Sequence, residues 1–253
     1  MLGSEWIGLE HFAKFVSNPV FIRLVRNTFL LSLYSLLWGF SPPIILALFL
    51  NEPMNRAYKK FVQTISYLPH FISIVAIVGM LFMILSPRGG LINNLLAGLG
   101  LEPIYFLAEP QWFRTIFIAS GIWQNVGFSA IIYLAVLSNV SEELYEAATI
   151  DGASRLQKMW HISLPSISPT IIILTILAIG RIMSVNTEKV LLMQMPITYE
   201  VSDVVGTYVY RRGLVHFEFG YGAAVGLFNS VLNVILLVGA NALARRFSET
   251  SLW

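Results

Sequence analysis

The side chains that usually carry out catalysis are sparse in this sequence of 253 residues. It has no cysteine, which excludes disulfides, thiol nucleophiles and thiolate metal sites. Its four histidines stand far apart, and no Ser/His/Asp arrangement can be recognised around them. The glycine-rich stretch 220–226 lacks the Lys-Ser/Thr pair that a nucleotide-binding loop requires. We therefore expect no catalytic residue, no metal site and no cofactor bound by this chain.

Polar side chains inside long apolar stretches are the candidates for binding chemistry, because they are costly to place in hydrocarbon. One group combines two amides with two aromatic rings: Trp123, Gln124, Asn125 and Phe128. Amides can hydrogen-bond to sugar hydroxyls, and an aromatic ring can pack against the C–H face of a sugar. Hydrogen bonding between neighbouring helices is an equally good explanation of these amides.

Arg181 lies in the outer part of another apolar stretch. Its planar guanidinium suits the bidentate binding of a substrate carboxylate. Two simpler roles stay open: the side chain can snorkel outward, or it can pair with Glu188, seven residues on along the same helical face. Asn229 and Asn233, four residues apart in a later stretch, are candidates for the same cavity.

The composition explains why so few polar residues are available. Hydrophobic residues make up 56% of the chain and charged residues 12%, whereas about a quarter of a soluble domain is charged. We therefore predict an all-α integral membrane protein, and a net charge of +2 gives no reason to expect nucleic acid as a partner. Five apolar segments are long enough to span a bilayer: Asn27–Leu50, Phe61–Leu85, Phe113–Leu137, Ser166–Val185 and Tyr221–Ala244. The predicted fold is thus a bundle of about five transmembrane helices.

Local signals add detail to this bundle. Residues 1–26 carry apolar side chains at helical spacing among charged ones, which predicts an interfacial helix with Trp6 and Phe12 at headgroup level. Residues 27–253 form the transmembrane domain. Pro42-Pro43 and Pro69 predict kinks in the first two spans.

A polar island, residues 141–165, separates the third and fourth apolar segments. Two short amphipathic helices are predicted there, with Ser141 capping the first, a hinge at Asp151-Gly152, and Pro165 ending the second. Their apolar faces are expected to contain Leu144, Ala147 and Ala148 in the first helix, and Leu156, Met159 and Trp160 in the second. These faces are too small to cross a bilayer and need a docking partner.

The spacing within the island resembles the EAA loop of the permease subunits of type I, binding-protein-dependent ABC importers. The matching residues are Glu146, Ala147, Ala148, Gly152, Ile162, Leu164 and Pro165, with Asp151 beside the hinge glycine. In that family the loop is a cytoplasmic coupling helix seated in a cleft of the ATPase subunit. The resemblance implies a second homologous permease, two ATPase subunits that hold ATP and Mg, and an extracytoplasmic solute-binding protein. An interfacial helix pair without a protein partner is the simpler alternative.

Further stretches resemble carbohydrate permeases, and some resemble the group that takes up complex oligo- and polysaccharides such as alginate and pectin fragments. The general resemblance rests on Trp6–Leu9, Asn27-Thr28 and Ser66–Pro69. The resemblance to the narrower group rests on Tyr199–Asp203, Thr207–Arg211 and Ser251–Trp253. The resemblance implies ATP-driven import of an oligosaccharide, with an acidic, uronate-containing one as the first expectation. A neutral oligosaccharide or another small solute is the alternative.

The family also implies a multi-pass protein of the bacterial cytoplasmic membrane, in contact with lipid. Basic residues are evenly divided between the two sets of loops, so the resemblance decides the orientation: the EAA loop and the C-terminus are expected in the cytoplasm. Five spans would then place residue 1 outside, together with the interfacial helix. Family members usually carry a further span ahead of the matched region, so that span is either absent or trimmed.

Two other classes remain open from the sequence. An ion-coupled secondary transporter usually needs a carboxylate or a broken-helix ion site within its spans, and no Asp or Glu stands inside these apolar segments. A membrane sensor that uses the same fold would bind an ATPase without transporting anything.

Overall fold

The structure, a computed structural model, describes residues 6–52, 55–247 and 251–252, and it contains only helices and connecting segments over this part of the chain. In chain order the α-helices are α1 Glu10–Val16, α2 Phe21–Asn51, α3 Arg56–Tyr67, α4 Ile74–Ile84, α5 Leu91–Gly98, α6 Pro110–Leu137, α7 Glu142–Ile150, α8 Arg155–Lys158, α9 Leu164–Ile179, α10 Thr187–Met193, α11 Tyr199–Ser202, α12 Val205–Val209 and α13 Phe219–Phe247. Short 3-10 turns cover Leu68–Phe71 and Pro196–Thr198, and π turns cover Met159–Ser163 and Tyr210–Val215.

Four helical segments among the described residues are long and apolar enough to cross a membrane: Phe21–Asn51, Pro110–Leu137, Arg155–Ile179 and Phe219–Arg246. A fifth span results if α3 and α4 are counted together. The predicted all-α bundle of about five spans is therefore confirmed. Pro42 and Pro43 lie inside α2, which continues past both of them as one helix.

Two of the predicted spans have the wrong boundaries. The segment Phe61–Leu85 is not a continuous helix: α3 gives way to a 3-10 turn containing Pro69, and Ile72–Ser73 are outside any helix before α4 begins. The segment Ser166–Val185 is shortened at its end, since α9 stops at Ile179 and residues 180–183 form a turn. Both interruptions lie inside segments that are apolar when averaged over about twenty residues, so a window average does not reveal them.

The chain divides into two compact units. The first contains residues 1–33, 74–117 and 180–238. One of its cores consists of Phe15, Leu24, Val205, Tyr208, Tyr221 and Val225. The N-terminal helix α1 contributes Phe15, which is fully buried, whereas Trp6 lies ahead of the helix and is 96% exposed. The predicted interfacial helix is thus shorter than 1–26 and packs into this core through Phe15, with His11 and Lys14 against the Tyr221 ring.

The second unit contains residues 34–73, 118–179 and 239–253. Its core consists of Ala47, Leu48, Ala130, Tyr133, Leu137 and Ile167. Gly127 allows α6 to approach α3 closely, because a Cβ at this position would lie 2.1 Å from the Ser66 carbonyl oxygen. This unit also carries the whole of the polar island.

Candidate functional site: a hinged helix pair and a polar break

The polar island folds as two short helices joined by a tight turn, which confirms the prediction of a helix–hinge–helix. The Ser141 hydroxyl accepts a hydrogen bond from the Glu143 amide at 3.2 Å and caps α7. Glu142 and Glu143 occupy the first turn, where the helix dipole favours negative charge. Glu146 and Ala147 are exposed further along the same helix.

The hinge depends on a glycine. Gly152 has φ +76°, and its amide donates to the Thr149 carbonyl at 3.1 Å. The next amide, of Ala153, reaches back to the Ala148 carbonyl at 2.8 Å, which completes a Schellman motif after the exposed C-cap residue Asp151. No atom lies within 4 Å of the position that a Gly152 Cβ would take. The left-handed backbone, and not lack of space, therefore selects glycine here.

The second helix begins with a reciprocal capping box. The Gln157 amide donates to the Ser154 hydroxyl at 3.4 Å, and the Ser154 amide donates to the Gln157 side-chain oxygen at 2.7 Å. The prediction that Pro165 ends this helix is wrong. The π turn carries the chain into α9, with the Leu164 amide bonded to the Met159 carbonyl five residues earlier. Pro165 follows in the first turn of α9, where its missing N–H is tolerated.

Several contacts hold the inner side of this element against the second unit. The Tyr145 hydroxyl lies 2.9 Å from the Ser163 hydroxyl and accepts a hydrogen bond from the Asn51 amide group at 3.3 Å. Met159 and Leu164 pack against the core of the unit, and Ile162 is half-buried. Met159 therefore faces inward. The helical spacing predicts that it shares an apolar face with Leu156 and Trp160, and this prediction is wrong. Tyr145 and Ser163 are anchors that the sequence analysis did not identify.

The outer side remains uncovered. Four large apolar side chains form what we call the exposed apolar face: Leu144 at 54% exposure, Ile150 at 87%, Leu156 at 71% and Trp160 at 68%. They lie on an element that is otherwise well hydrogen-bonded and anchored. Several large, exposed apolar side chains on one short, anchored element favour a role in docking to another protein.

The amides predicted for the substrate path have different environments. Gln124 is buried, and its Nε2 donates to the Ile72 carbonyl at 3.2 Å, in the break after α3. Asn125 is exposed, and its Nδ2 donates to the Gly121 carbonyl at 2.9 Å. Its Oδ1 lies 3.0 Å from Nδ1 of His70. Gln124 therefore stabilises the break, and Asn125 is the amide that remains accessible.

Aromatic rings surround the accessible amide. The His70 ring is stacked on Phe128 with 3.9 Å between centroids, and Phe71 approaches Phe128 edge-on at 6.2 Å. Phe71 is 75% exposed, and Trp123 and Phe128 are also exposed. The structure thus brings Asn125 and Phe128 together with His70, a histidine beside Pro69 for which the sequence predicts no catalytic role. Pro69, which predicts a break in this span, was the signal that could have drawn attention to its neighbour.

The remaining predicted residues belong to the first unit. Arg181 lies in the turn after α9 and is exposed, and Glu188 is exposed on the separate helix α10. The predicted pairing along one helical face is wrong, because no helix connects these two positions. Asn233 accepts the Met183 amide at 2.9 Å and donates to the Ser184 hydroxyl at 2.9 Å, while Asn229 donates to the Met183 carbonyl at 2.9 Å. These two amides stabilise the turn that carries Arg181.

The first unit also contains a buried charged centre that the sequence analysis did not identify. Asp203 is 1% exposed and binds Arg211 through both carboxylate oxygens at 2.8 and 2.7 Å. Thr207 donates to Asp203 at 2.7 Å, and Arg23 lies 3.6 Å away. Asn27, on α2, donates to the backbone carbonyl of Asp203 at 3.1 Å. This centre ties the segment 199–211 to the start of α2.

Among the described residues, no three His, Asp or Glu side chains come together in a group that could hold a metal ion. The geometry supports docking at the exposed apolar face and binding of a polar molecule beside His70 and Asn125.

Comparison with known proteins agrees with this geometry. Residues 39–249 match the family described as binding-protein-dependent transport system inner membrane component. The chain is 45% identical to the polygalacturonan/rhamnogalacturonan transport system permease protein YteP of Bacillus subtilis (strain 168), over 100% of this chain and 79% of that protein. It is 30% identical to the arabinooligosaccharides transport system permease protein AraP of the same organism, over 92% of this chain and 74% of the relative.

A solved structure gives the same result for the fold. The crystal structure of a bacterial alginate ABC transporter, in complex with an alginate pentasaccharide-bound periplasmic protein, contains a chain that is 45% identical to this one. The alignment covers 97% of this chain and 85% of that chain, with a TM-score of 0.93. The predicted fold class, the carbohydrate-permease resemblance and the assignment as a transport subunit are therefore confirmed. The chain belongs to the binding-protein-dependent transport system inner membrane component family and is a multi-pass permease subunit of a sugar ABC importer, whose ATPase is a separate subunit.

Proposed function

We propose that this permease passes acidic, uronate-containing oligosaccharides across the bacterial cytoplasmic membrane. The observation that carries the proposal is the 45% identity to two permeases whose named cargoes, polygalacturonan/rhamnogalacturonan and alginate, are acidic polysaccharides. A neutral oligosaccharide is the second candidate, because the arabinooligosaccharide permease is also related, at 30% identity.

The assembly that we propose contains this chain, a second homologous permease, two ATPase subunits and an extracytoplasmic solute-binding protein. The family description, which names a binding protein, supports the last of these partners. Residues 141–165 and the C-terminus lie in the cytoplasm in this arrangement, and the segment before α2 lies outside. In this arrangement the ATPase subunits bind on the cytoplasmic face of the membrane and the solute-binding protein on the outer face.

The hinged helix pair is the proposed contact with the ATPase. Leu144, Ile150, Leu156 and Trp160 would enter a cleft of that subunit, and Glu146 would make charge contacts at its rim. The hydrogen bonds of Tyr145 and the packing of Met159 join the pair to the core of the second unit. Closure of the ATPases would therefore move the pair as a rigid lever and shift the spans between outward-open and inward-open states.

Arg181 is the proposed partner of a cargo carboxylate. Arg181 is exposed in a turn whose backbone is held at Met183 by Asn229 and Asn233, and an unburied guanidinium suits bidentate binding of a carboxylate. Asn229 and Asn233 thus contribute to cargo binding indirectly, because they hold the turn that carries Arg181. The segment predicted as the fourth span supplies the arginine at its end.

Arg181→Gln should reduce ATP-driven uptake of uronate oligosaccharides by about tenfold, the effect of losing roughly 1.4 kcal/mol of binding. Neutral oligosaccharides, if they are carried at all, should be unaffected. The measurement is uptake into proteoliposomes that contain the full assembly, with Arg88→Gln as the matched loss of an exposed arginine elsewhere in the first unit. Equal loss for acidic and neutral sugars, or no loss, would remove the carboxylate role from Arg181.

A further inference from the structure

A cavity in the second unit combines a lysine with amide and hydroxyl groups. It has a volume of about 370 Å³ and lies between α3, the end of α6 and the last residue of α2. Its polar lining comes from Asn51, Lys59, Gln63, Tyr67 and Ser138, and aliphatic side chains of α6 complete the wall. A cavity of this size, with a few polar groups beside an apolar wall, is typical of small-molecule sites.

Helix α3 has two chemically different faces. Lys59, Gln63 and Tyr67 follow one another at intervals of four residues, so they lie on one face, and this face lines the cavity. Phe61 and Ile65 lie on the opposite face and are 61% and 55% exposed. The apolar face suits lipid or another apolar surface, whereas the face with the lysine suits a water-soluble molecule. The cavity is therefore a site for a polar ligand and not for an acyl chain.

Lys59 makes the cavity selective for an anion. Its side chain is half-buried, and among the described residues no Asp or Glu forms an ion pair with it. A partly desolvated ammonium group is stabilised by a negatively charged hydrogen-bond acceptor. A ligand carboxylate supplies such an acceptor.

The neutral groups of the lining suit hydroxyls. The Ser138 hydroxyl donates to the Ala135 carbonyl at 2.8 Å, so its oxygen can accept a hydrogen bond from a ligand. Asn51 donates through Nδ2 to the Tyr145 hydroxyl at 3.3 Å, and its Oδ1 is a second acceptor. Acceptors match the hydroxyl groups of a ligand and do not match a second carboxylate. The combination fits a small molecule with one carboxylate and several hydroxyls, which is a sugar acid.

We propose that this cavity binds a monomeric sugar acid, with the carboxylate at Lys59 and hydroxyls at Asn51 and Ser138, and that the bound sugar acid inhibits transport. In the proposed arrangement the end of α2 lies on the cytoplasmic side, together with the polar island, so the ligand comes from the cytoplasm. Hydrolysis of imported uronate oligosaccharides releases sugar acids there. The identity of the ligand as a product of the cargo rests on the proposed function.

The contacts of Asn51 connect the cavity to the hinged helix pair. Asn51 donates to the Tyr145 hydroxyl, which lies 2.9 Å from the Ser163 hydroxyl, so one wall of the cavity is joined directly to this pair. A ligand stabilises the conformation in which its site is formed. Because the cavity lies between spans that shift in the proposed transport cycle, an occupant slows the cycle. Accumulated product would thus reduce further import.

Two measurements with D-galacturonate test the site, and D-galactose, in which CH2OH replaces the carboxylate, is the neutral counterpart. The first is calorimetric titration of the assembly of two permeases and two ATPases, without the binding protein. The second is uptake into proteoliposomes in which the sugar is enclosed together with ATP, on the ATPase side. We expect galacturonate to bind and to slow uptake, and galactose to do neither.

Substitutions on α3 assign the effect to the lysine. Lys59→Gln should raise the galacturonate concentration for half-maximal inhibition by about tenfold or more, the effect of losing a hydrogen bond to a charged group. Lys59→Arg keeps the charge and should retain the inhibition. Lys60→Gln is the matched control, because Lys60 is an exposed lysine of the same helix that does not line the cavity. It should be inhibited like the parent.

Equal inhibition by galactose and galacturonate, or equal inhibition of the parent and Lys59→Gln, would overturn the inference. The same holds if galacturonate does not bind to an assembly that takes up uronate oligosaccharides. An assembly that binds galacturonate through Lys59 but transports only neutral oligosaccharides would instead contradict the proposed function, and the anion site would stand.

Discussion

At the scale of single residues, the buried Asp203 depends on several charged and polar partners. Its carboxylate is 1% exposed, and its charge is balanced by Arg211, whose Nη2 donates to both carboxylate oxygens, and by Arg23. Removing one partner of a buried ion pair leaves the other charge without compensation, which is more damaging than the pair itself is stabilising. The segment Tyr199–Asp203, which resembles a narrower group of polysaccharide permeases, thus contains an acid with a structural role.

Asp203→Ala should destabilise the protein by about 1.5–3 kcal/mol, because the buried centre loses the hydrogen bonds that Thr207 and Arg211 donate to this carboxylate. Glu218→Ala is the matched control: Glu218 pairs with Arg212 at 2.8 Å, but both side chains are 34% exposed. We expect a change of about 0–1 kcal/mol for this control. The measurement is the thermal unfolding midpoint of the purified chain in detergent, and equal shifts for the two variants would contradict the assignment.

The amides show how far residue types alone can predict a site. Polar residues within apolar segments indicated either sugar binding or structural hydrogen bonding, and the sequence offered no means of choosing. The structure gives Gln124, Asn229 and Asn233 backbone partners at helix breaks, whereas Asn125 stays accessible. The choice depends on where the helices break, which is a property of tertiary structure.

At the scale of elements, the hinged helix pair is the part of the fold that local sequence determines best. Its caps and its turn depend on Ser141, Gly152 and Ser154, whose preferences act within a few residues. Two features could not be predicted in the same way: the inward orientation of Met159, and the continuation of the helical chain past Pro165 into α9. Both follow from the π turn Met159–Ser163, which shifts the helical register by one residue.

The membrane spans also show that local sequence does not predict features that depend on tertiary contacts. A window of about twenty apolar residues predicts that a segment lies in the membrane, and this was correct for α2, α6 and α13. It does not distinguish a continuous helix from a broken one, because the breaks at Ile72–Ser73 and after Ile179 are compensated by side chains elsewhere in the chain. Those partners are distant in sequence.

Gly152→Asp should uncouple ATP hydrolysis from uptake while leaving the chain inserted in the membrane. A residue with a Cβ has to adopt φ +76° at this turn, at a cost of about 1–2 kcal/mol, and a charge is added beside the docking face. Gly152→Asn is the matched control, since asparagine tolerates the left-handed region and adds no charge. It should retain most of the uptake.

Docking of the helix pair to the ATPase subunit can be measured separately from uptake in these variants. The chain has no cysteine, so Leu156→Cys introduces a unique thiol on the exposed apolar face. Its cross-linking to the ATPase subunit should be efficient in the parent, slightly reduced with Gly152→Asn and strongly reduced with Gly152→Asp. Normal uptake and cross-linking in the Asp variant would show that the turn is not needed for coupling.

At the scale of the whole molecule, the composition predicted a membrane protein and the EAA spacing predicted its family, and both are confirmed. The cargo is the property least accessible from sequence. The helix pair that identifies the family contacts the ATPase in the proposed assembly and carries no information about the transported sugar. Arg181, the proposed contact for the cargo, lies in a turn whose backbone depends on partners distant in sequence.

The central claim is that this chain serves an importer driven by ATP and specific for acidic saccharides. The most direct test is ATP hydrolysis by the complete assembly in a bilayer, with this chain, its companion permease, the ATPases and the binding protein. We predict that uronate oligosaccharides stimulate hydrolysis and that neutral oligosaccharides of the same length do not. Stimulation by neutral oligosaccharides, or by neither class, would contradict the proposed cargo.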